Sequence, residues 1–267
     1  MEPYINFLWL VPVGFFAGAY GALIGAGGGF VLAPALLLLY PEEPPETITS
    51  ISLAVVFFNA LSATLAYARS GKIDLKFGGI FAAATIPGAI AGALATTAIN
   101  RTQFNLVFGL ILVSVAIFLA LNPGKKSAVT IAQDAAGRSD KNLSYLTVLL
   151  AICLSTVFGF ASSFLGIGGG FLYVPTLVYL MGFPVHRATA TSLFVLAITS
   201  VTGTGTHIAA GFFHQGIRRT LALSIGAILG AQLAVLFSRR IPGDWIIRSL
   251  AVALGLVGLK IFFSPMR

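Results

Sequence analysis

The chain has 267 residues, of which 57% are hydrophobic and only 9% are charged, and its formal net charge is +8. A soluble domain carries about 25% charged residues, so this composition excludes a water-exposed surface over most of the chain and indicates a protein surrounded by lipid. The basic residues fall in short segments between apolar runs, a pattern of membrane-protein loops that argues against nucleic-acid binding.

Five apolar segments are predicted in each half of the chain, four long and one short. The long segments have about the 20 residues that a membrane-spanning helix needs. In chain order the first half contains Ile5–Ile24, the short Phe30–Tyr40, Ile48–Ala68, Phe77–Ile99 and Phe104–Leu121. The second half contains Leu143–Leu165, the short Phe171–Met181, Ala188–Ala210, Thr220–Phe237 and Trp245–Phe263.

The two halves repeat each other. GAGGGFVLAP at Gly25–Pro34 matches GIGGGFLYVP at Gly166–Pro175, and GAIAGA at Gly88–Ala93 matches GAILGA at Gly226–Ala231, with an offset near 140 residues. Internal repeats are typical of transporters. The sequence therefore predicts an all-α polytopic membrane protein made of a first repeat (1–122), a polar cytoplasmic linker (123–142) and a second repeat (143–267).

The distribution of Lys and Arg predicts the orientation of the repeats in the membrane. If the linker is cytoplasmic and each short segment turns back, eleven basic residues lie inside and five lie outside. The two repeats then have opposite orientations. The alternative is four crossings in each half, but Ile5–Tyr40 as one straight helix would be about 54 Å long against a hydrocarbon core of about 30 Å.

The short segments predict a ligand site. Eleven residues make about 16 Å of helix, so Phe30–Tyr40 reaches only about halfway through the hydrocarbon and Gly27-Gly28-Gly29 falls near the middle of the membrane. The first N–H groups of such a half-helix have no intrahelical partner, and an anion could satisfy them. The alternative is that the glycines only allow close helix packing. The predicted site residues of the two boxes are Gly25, Gly27, Gly28, Gly29 and Phe30, and Gly166, Gly168, Gly169, Gly170 and Phe171.

Polar residues within the apolar segments are the second part of the prediction. No Asp or Glu lies inside a long apolar run, which favours an anionic or neutral substrate over a cation. The hydroxyl groups of Ser52, Thr191 and Ser192 are predicted to donate to anion oxygens, or else to bond within their own helices. His207 and its repeat counterpart Tyr67 are candidates for gating or, in the case of His207, for carrying a coupled proton; the alternative is a structural role.

No enzyme chemistry is predicted. The single cysteine, Cys153, excludes an internal disulfide and a cysteine-based metal site, and no zinc motif, nucleophile elbow or pair of carboxylates is present. The sequence therefore predicts no catalytic residues, no metal and no cofactor. An anion channel and, less favoured, an intramembrane enzyme or assembly factor stay as alternatives to a secondary transporter.

The paired GxGGGFxxxP boxes, the TSL stretch Thr191–Leu193 and the paired GAxxGA segments resemble the TauE/SafE family of sulfite-exporter-like membrane proteins. The resemblance covers nearly the whole chain, although the first copy has ISL at Ile51–Leu53 where the second has TSL. It implies transport of a small sulfur-containing anion, such as sulfite, thiosulfate or an organosulfonate, across the cell membrane by a multi-pass protein. The expected partners are this anion and the lipid bilayer, with a coupled proton only if His207 carries one.

Overall fold

The structure, a computed structural model, describes residues 7–121, 145–213, 216–238 and 240–263. The predicted linker 123–142 lies outside the described residues. Within the described ranges the secondary structure is helical throughout, which confirms the predicted all-α class.

Ten helices follow one another along the described chain. The first half contains α1 (Leu10–Ile24), α2 (Gly29–Leu39), α3 (Pro45–Ala68), α4 (Leu75–Ala95, followed by the 3-10 turn Thr96–Ala98) and α5 (Arg101–Leu121). The second half contains α6 (Tyr145–Leu165), α7 (Gly170–Pro175, continued as the π-helical turn Thr176–Leu180), α8 (Val185–Ala209), α9 (Ile217–Ser238) and α10 (Gly243–Phe262).

Six of these helices, α3, α4, α5, α8, α9 and α10, are long and apolar enough to cross a membrane. The chain is therefore a multi-pass membrane protein. α1 is shorter than its predicted segment, because the helix begins at Leu10 rather than near Ile5. Pro12 then lies in the first turn, where the missing N–H costs no hydrogen bond; a helix begun at Ile5 would hold it in the interior.

The two short segments form short helices at the predicted positions. α2 has eleven residues, Gly29–Leu39, and α7 with its π-helical turn spans Gly170–Leu180. Both contain a proline at the same repeat position, Pro34 and Pro175. Pro175 cannot donate to the helical ladder, and the chain widens into π-helix directly after it.

The helices of the first half pack against those of the second half in the same way as the second half packs against the first. α1 packs against α9 and α6 against α4, which are corresponding pairs once the halves are exchanged. α3 packs against α8 and α5 against α10, each helix against its own repeat counterpart. The halves are therefore interleaved, and neither forms a separate core.

The GAxxGA segments make these helix contacts close. A methyl group added at Gly226 would collide with the backbone of Val11, and one added at Gly88 would collide with the backbone of Thr156. Small residues let backbones approach to this degree in membrane helices. These motifs therefore serve the α1–α9 and α4–α6 interfaces.

Contacts at the helix ends show that α3 and α8 run in opposite directions. Asp74, which follows the end of α3, bonds Arg187 at the start of α8, with 2.8 Å between the charged atoms. At the other end, a Cβ built on Gly216, which follows α8, would lie 2.5 Å from a side-chain carbon of Ile51 near the start of α3. α3 and α8, which occupy equivalent places in the two halves, are thus antiparallel.

Candidate functional site

The glycine boxes form two tight turns at the starts of α2 and α7. Gly25, Gly27 and Gly28 have φ values of 84°, 71° and 78°, and the corresponding Gly166, Gly168 and Gly169 have 69°, 89° and 70°. Residues that carry a side chain rarely adopt these left-handed backbone angles, so glycine is required for the turn that starts each short helix.

The first box directs its early amides back to the preceding helix. The N–H groups of Gly25, Ala26 and Gly27 all donate to the carbonyl oxygen of Gly21, at 2.9, 2.9 and 3.1 Å. The second box repeats this arrangement, in which Ile167 donates to the carbonyl oxygen of Ser162 at 3.2 Å. These amides are therefore already engaged by the protein.

The amides of the first helical turn are different. Among the described residues, the N–H groups of Gly29 and Phe30 have no acceptor, and the same holds for Gly170 and Phe171 in the second box. A helix start leaves such donors free and carries partial positive charge. Four first-turn amides, two from each half, therefore have no acceptor among the described residues.

The structure brings the two boxes into contact. A Cβ at Gly29 would collide with the carbonyl oxygen of Ile167, and a Cβ at Gly170 would collide with that of Gly25. The Ser192 hydroxyl donates to the carbonyl oxygen of Gly25 at 2.9 Å and lies 3.5 Å from that of Gly170. The predicted residues of the two boxes therefore form one cluster where the halves meet.

The predicted hydroxyl residues separate into two groups. Ser192 bonds the boxes, while its repeat counterpart Ser52 is fully buried and its hydroxyl has no hydrogen-bond partner among the described residues. Thr191 lies elsewhere, because its hydroxyl accepts the backbone N–H of Asp74 at 3.1 Å. Thr189, whose hydroxyl has no partner in the described part of the chain, packs on Gly25 instead.

Phe30 and Phe171 anchor the short helices rather than facing open space. Both side chains are fully buried in the main hydrophobic core, and Phe30 packs against Tyr20 with ring centroids 5.8 Å apart. Buried aromatic rings of this size contribute strongly to packing. They hold the amides of the first turn in place.

Two apolar residues that the sequence did not single out lie against the boxes. Val56 of α3 and Leu196 of α8 both contact Gly27 and Gly168. The two are repeat counterparts, 140 residues apart, but every equivalent pair of α3 and α8 shares this offset, so the sequence alone does not single them out.

His207 and Tyr67 are buried near the ends of α8 and α3, with 0% and 1% of their surface exposed. The His207 ring packs edge-on against Phe212 with centroids 6.0 Å apart and lies within reach of the backbone of Ser163 at the end of α6. The two residues lie near opposite ends of the antiparallel α3 and α8, and neither is among the side chains that contact the glycines of the boxes.

Basic side chains gather at the far end of α2. Arg101 donates to the carbonyl oxygens of Leu37 and Tyr40, which the end of α2 leaves free, and to that of Glu43 in the following loop. Arg219 pairs with the Glu43 carboxylate at 2.8 Å and lies over the Tyr40 ring, 4.0 Å from its centroid. This cluster neutralises the negative end of α2 and leaves its positive end directed at the boxes.

The buried interior offers no acidic or metal-binding group in the ranges that the structure describes. No Asp, Glu, Lys or Arg is among the buried residues there, and no group of three metal-ligating side chains is found. The donors at the boxes are backbone amides and hydroxyls, which suit an anion rather than a cation.

Comparison with known proteins agrees with this architecture. The family model described as Sulfite exporter TauE/SafE matches residues 10–261. The chain is 33% identical to the probable membrane transporter protein YunE of Bacillus subtilis, over 97% of this chain and 98% of that protein. It is 28% identical to a probable membrane transporter protein of Methanocaldococcus jannaschii, over 95% of this chain and 96% of that protein.

No solved structure matches the chain significantly. The family match nevertheless spans both glycine boxes and nine of the ten described helices in full. The chain therefore belongs to the TauE/SafE family, and its class is that of a membrane transporter rather than an enzyme.

Proposed function

We propose that this protein is a secondary transporter of a small anion, most specifically a sulfur oxyanion or an organosulfonate, in the cell membrane. The observation that carries the proposal is the meeting of two short-helix starts whose first-turn amides at Gly29, Phe30, Gly170 and Phe171 have no acceptor among the described residues. Unpaired amides in a lipid-surrounded core cost several kcal/mol each, so a ligand that accepts from them gains that energy.

The buried Ser52 hydroxyl is the second observation that points to a ligand. It is 0% exposed and has no partner in the described ranges, whereas its counterpart Ser192 bonds two carbonyl oxygens of the boxes. A hydroxyl can donate to an anion oxygen. The site would therefore combine amides from both halves with one hydroxyl from α3.

A sulfur anion fits this donor set. Sulfite and sulfonates present three oxygens around one sulfur atom, and a ring of neutral donors can bind such oxygens without a buried cation. The name of the matching family points to the same class, since it describes a sulfite exporter.

Alternating access follows from an inverted arrangement of the halves. The antiparallel course of α3 and α8 supports this arrangement, as does the exchange of partners between α1–α9 and α6–α4. All residues of the two boxes are buried in this conformation, as expected for a closed state of such a cycle. Opening of the site to either side of the membrane then requires one half to move against the other. His207 is the candidate carrier of a coupled proton.

The test is uptake of radiolabelled sulfite, sulfate, thiosulfate and an organosulfonate into proteoliposomes, with pH and membrane potential varied. We expect saturable uptake of at least one sulfur anion and exchange against unlabelled anion inside. Uptake no greater than that of protein-free liposomes for all four anions would contradict the proposal. Conductance without saturation or exchange would identify a channel instead.

A further inference from the structure

The side chains of Val56 and Leu196 lie between the glycine boxes and contact both of them. A Cβ built on Gly168 would be 2.5 Å from Val56 Cγ1 and 2.8 Å from Leu196 Cδ1. A Cβ built on Gly27 would be 3.0 Å from the same Val56 carbon and would collide with the Leu196 side chain. Both side chains are fully buried.

The contacts of these side chains differ in kind from the other contacts of the boxes. The atoms nearest to a Cβ built on Gly28 or Gly170 are backbone atoms, which move only if a whole helix moves, whereas at Gly29 they are the Ile167 carbonyl and Val56 Cγ2. Val56 and Leu196 face the boxes with the methyl ends of their side chains. Leucine can rotate between staggered conformations, whereas a valine inside a helix is nearly fixed at χ1. The region beside Gly27 and Gly168 is filled by side chains rather than backbone. It is therefore the part of the site that can widen without a shift of the backbone.

The positions of the two residues agree with a role in the path of the substrate. Val56 and Leu196 occupy equivalent places in antiparallel helices, so the pair lies where the two halves meet. Apolar constrictions hold back water and ions until they widen. Val56 also lies close to the first-turn amides, since its Cγ2 would be 2.7 Å from a Cβ built on Gly29.

We propose that Val56 and Leu196 form the constriction of the transport path and set the size of the anion that the site admits. The proposal rests on the proposed anion transport. Neither residue offers a hydrogen bond, so both act by shape. A small oxyanion such as sulfite passes, whereas a sulfonate with a bulky organic group is held back.

The test compares initial uptake rates of benzenesulfonate and sulfite in proteoliposomes. The variants are Val56→Ala, Leu196→Ala and the double variant. Matched controls are Val55→Ala and Leu193→Ala, which remove the same groups from buried positions one residue and three residues away on the same helices. All proteins are first checked for a single symmetric peak in size-exclusion chromatography, and Val56→Ala alone decides the result if the larger truncations fail this check.

We expect the ratio of benzenesulfonate to sulfite uptake to rise about tenfold or more in the constriction variants, as a pocket enlarged by one or more methylene groups allows. The control ratios should match the wild type. A ratio unchanged in well-folded constriction variants, or raised equally in the controls, overturns the constriction while leaving anion transport intact. A wild-type protein that moves none of sulfite, sulfate, thiosulfate and an organosulfonate would instead overturn the proposed function.

Discussion

Replacing Gly170 by Ala should disturb the contact between the two boxes. The new Cβ would lie 2.7 Å from Cα and 3.1 Å from the carbonyl carbon of Ala26, and closer still to the carbonyl oxygen of Gly25. Carbon atoms in favourable contact are about 3.5–4.0 Å apart, so the facing backbone has to retreat by about 1 Å. Overpacking of this kind costs about 1–3 kcal/mol.

The same displacement should reduce transport. The amides of the two boxes must converge on one ligand, and a misplacement of about 1 Å in a positioned site can lower a rate by up to about a hundredfold. We therefore expect Gly170→Ala to lower both the midpoint of thermal unfolding in detergent and the initial uptake rate in proteoliposomes.

Gly205→Ala is the matched control for this prediction. Gly205 lies within α8, and a Cβ built there meets no atom within 4 Å. Alanine is favoured over glycine inside a helix by about 1 kcal/mol, so this variant should be as stable as the wild type or slightly more stable. If Gly170→Ala matches Gly205→Ala in both stability and uptake, the close contact of the boxes is refuted.

Three further predictions concern the surrounding framework. Asn59→Leu should lower the free energy of unfolding by about 1–3 kcal/mol, because two buried backbone carbonyls lose their side-chain donor; thermal unfolding measures the loss. Arg219→Gln should destabilise the protein by about 1–3 kcal/mol, because the side chains of Arg219 and its partner Glu43 are only 16% and 19% exposed. A double-mutant cycle with Glu43→Gln should return a coupling energy well above zero. His207→Ala should abolish any dependence of uptake on a pH gradient; unchanged dependence would remove His207 from proton coupling.

The helices could be predicted from the sequence because lipid imposes a strong constraint on apolar length. The predicted segment Ala188–Ala210 became α8 at Val185–Ala209, and Phe30–Tyr40 became α2 at Gly29–Leu39. The glycine boxes could be predicted for a related reason. A helix that stops halfway across the hydrocarbon needs a turn at its start, and the triple glycines mark that turn in both halves.

The orientation of individual side chains could not be predicted from the motif alone. Thr191 and Ser192 are neighbours in the TSL stretch, but successive residues of an α-helix point about 100° apart. Ser192 therefore faces the boxes while Thr191 faces Asp74. Thr189 shares a face with Ser192 because three positions nearly complete one turn.

Val56 and Leu196 show a second limit of the sequence. Each is one apolar residue within a long apolar run, and nothing local distinguishes it from its neighbours. Their importance comes from contacts with glycines distant in the chain, which only the packing of α3 against α8 brings together.

The central claim is that an anion binds between the starts of α2 and α7. The most direct measurement is anomalous X-ray scattering from crystals soaked in selenite, a heavier analogue of sulfite, at a concentration that inhibits sulfite uptake. The account predicts an anomalous peak within hydrogen-bonding reach of the Gly29 and Gly170 amides. A peak found only at Arg101 and Arg219, or no peak between the two glycine boxes, would contradict it.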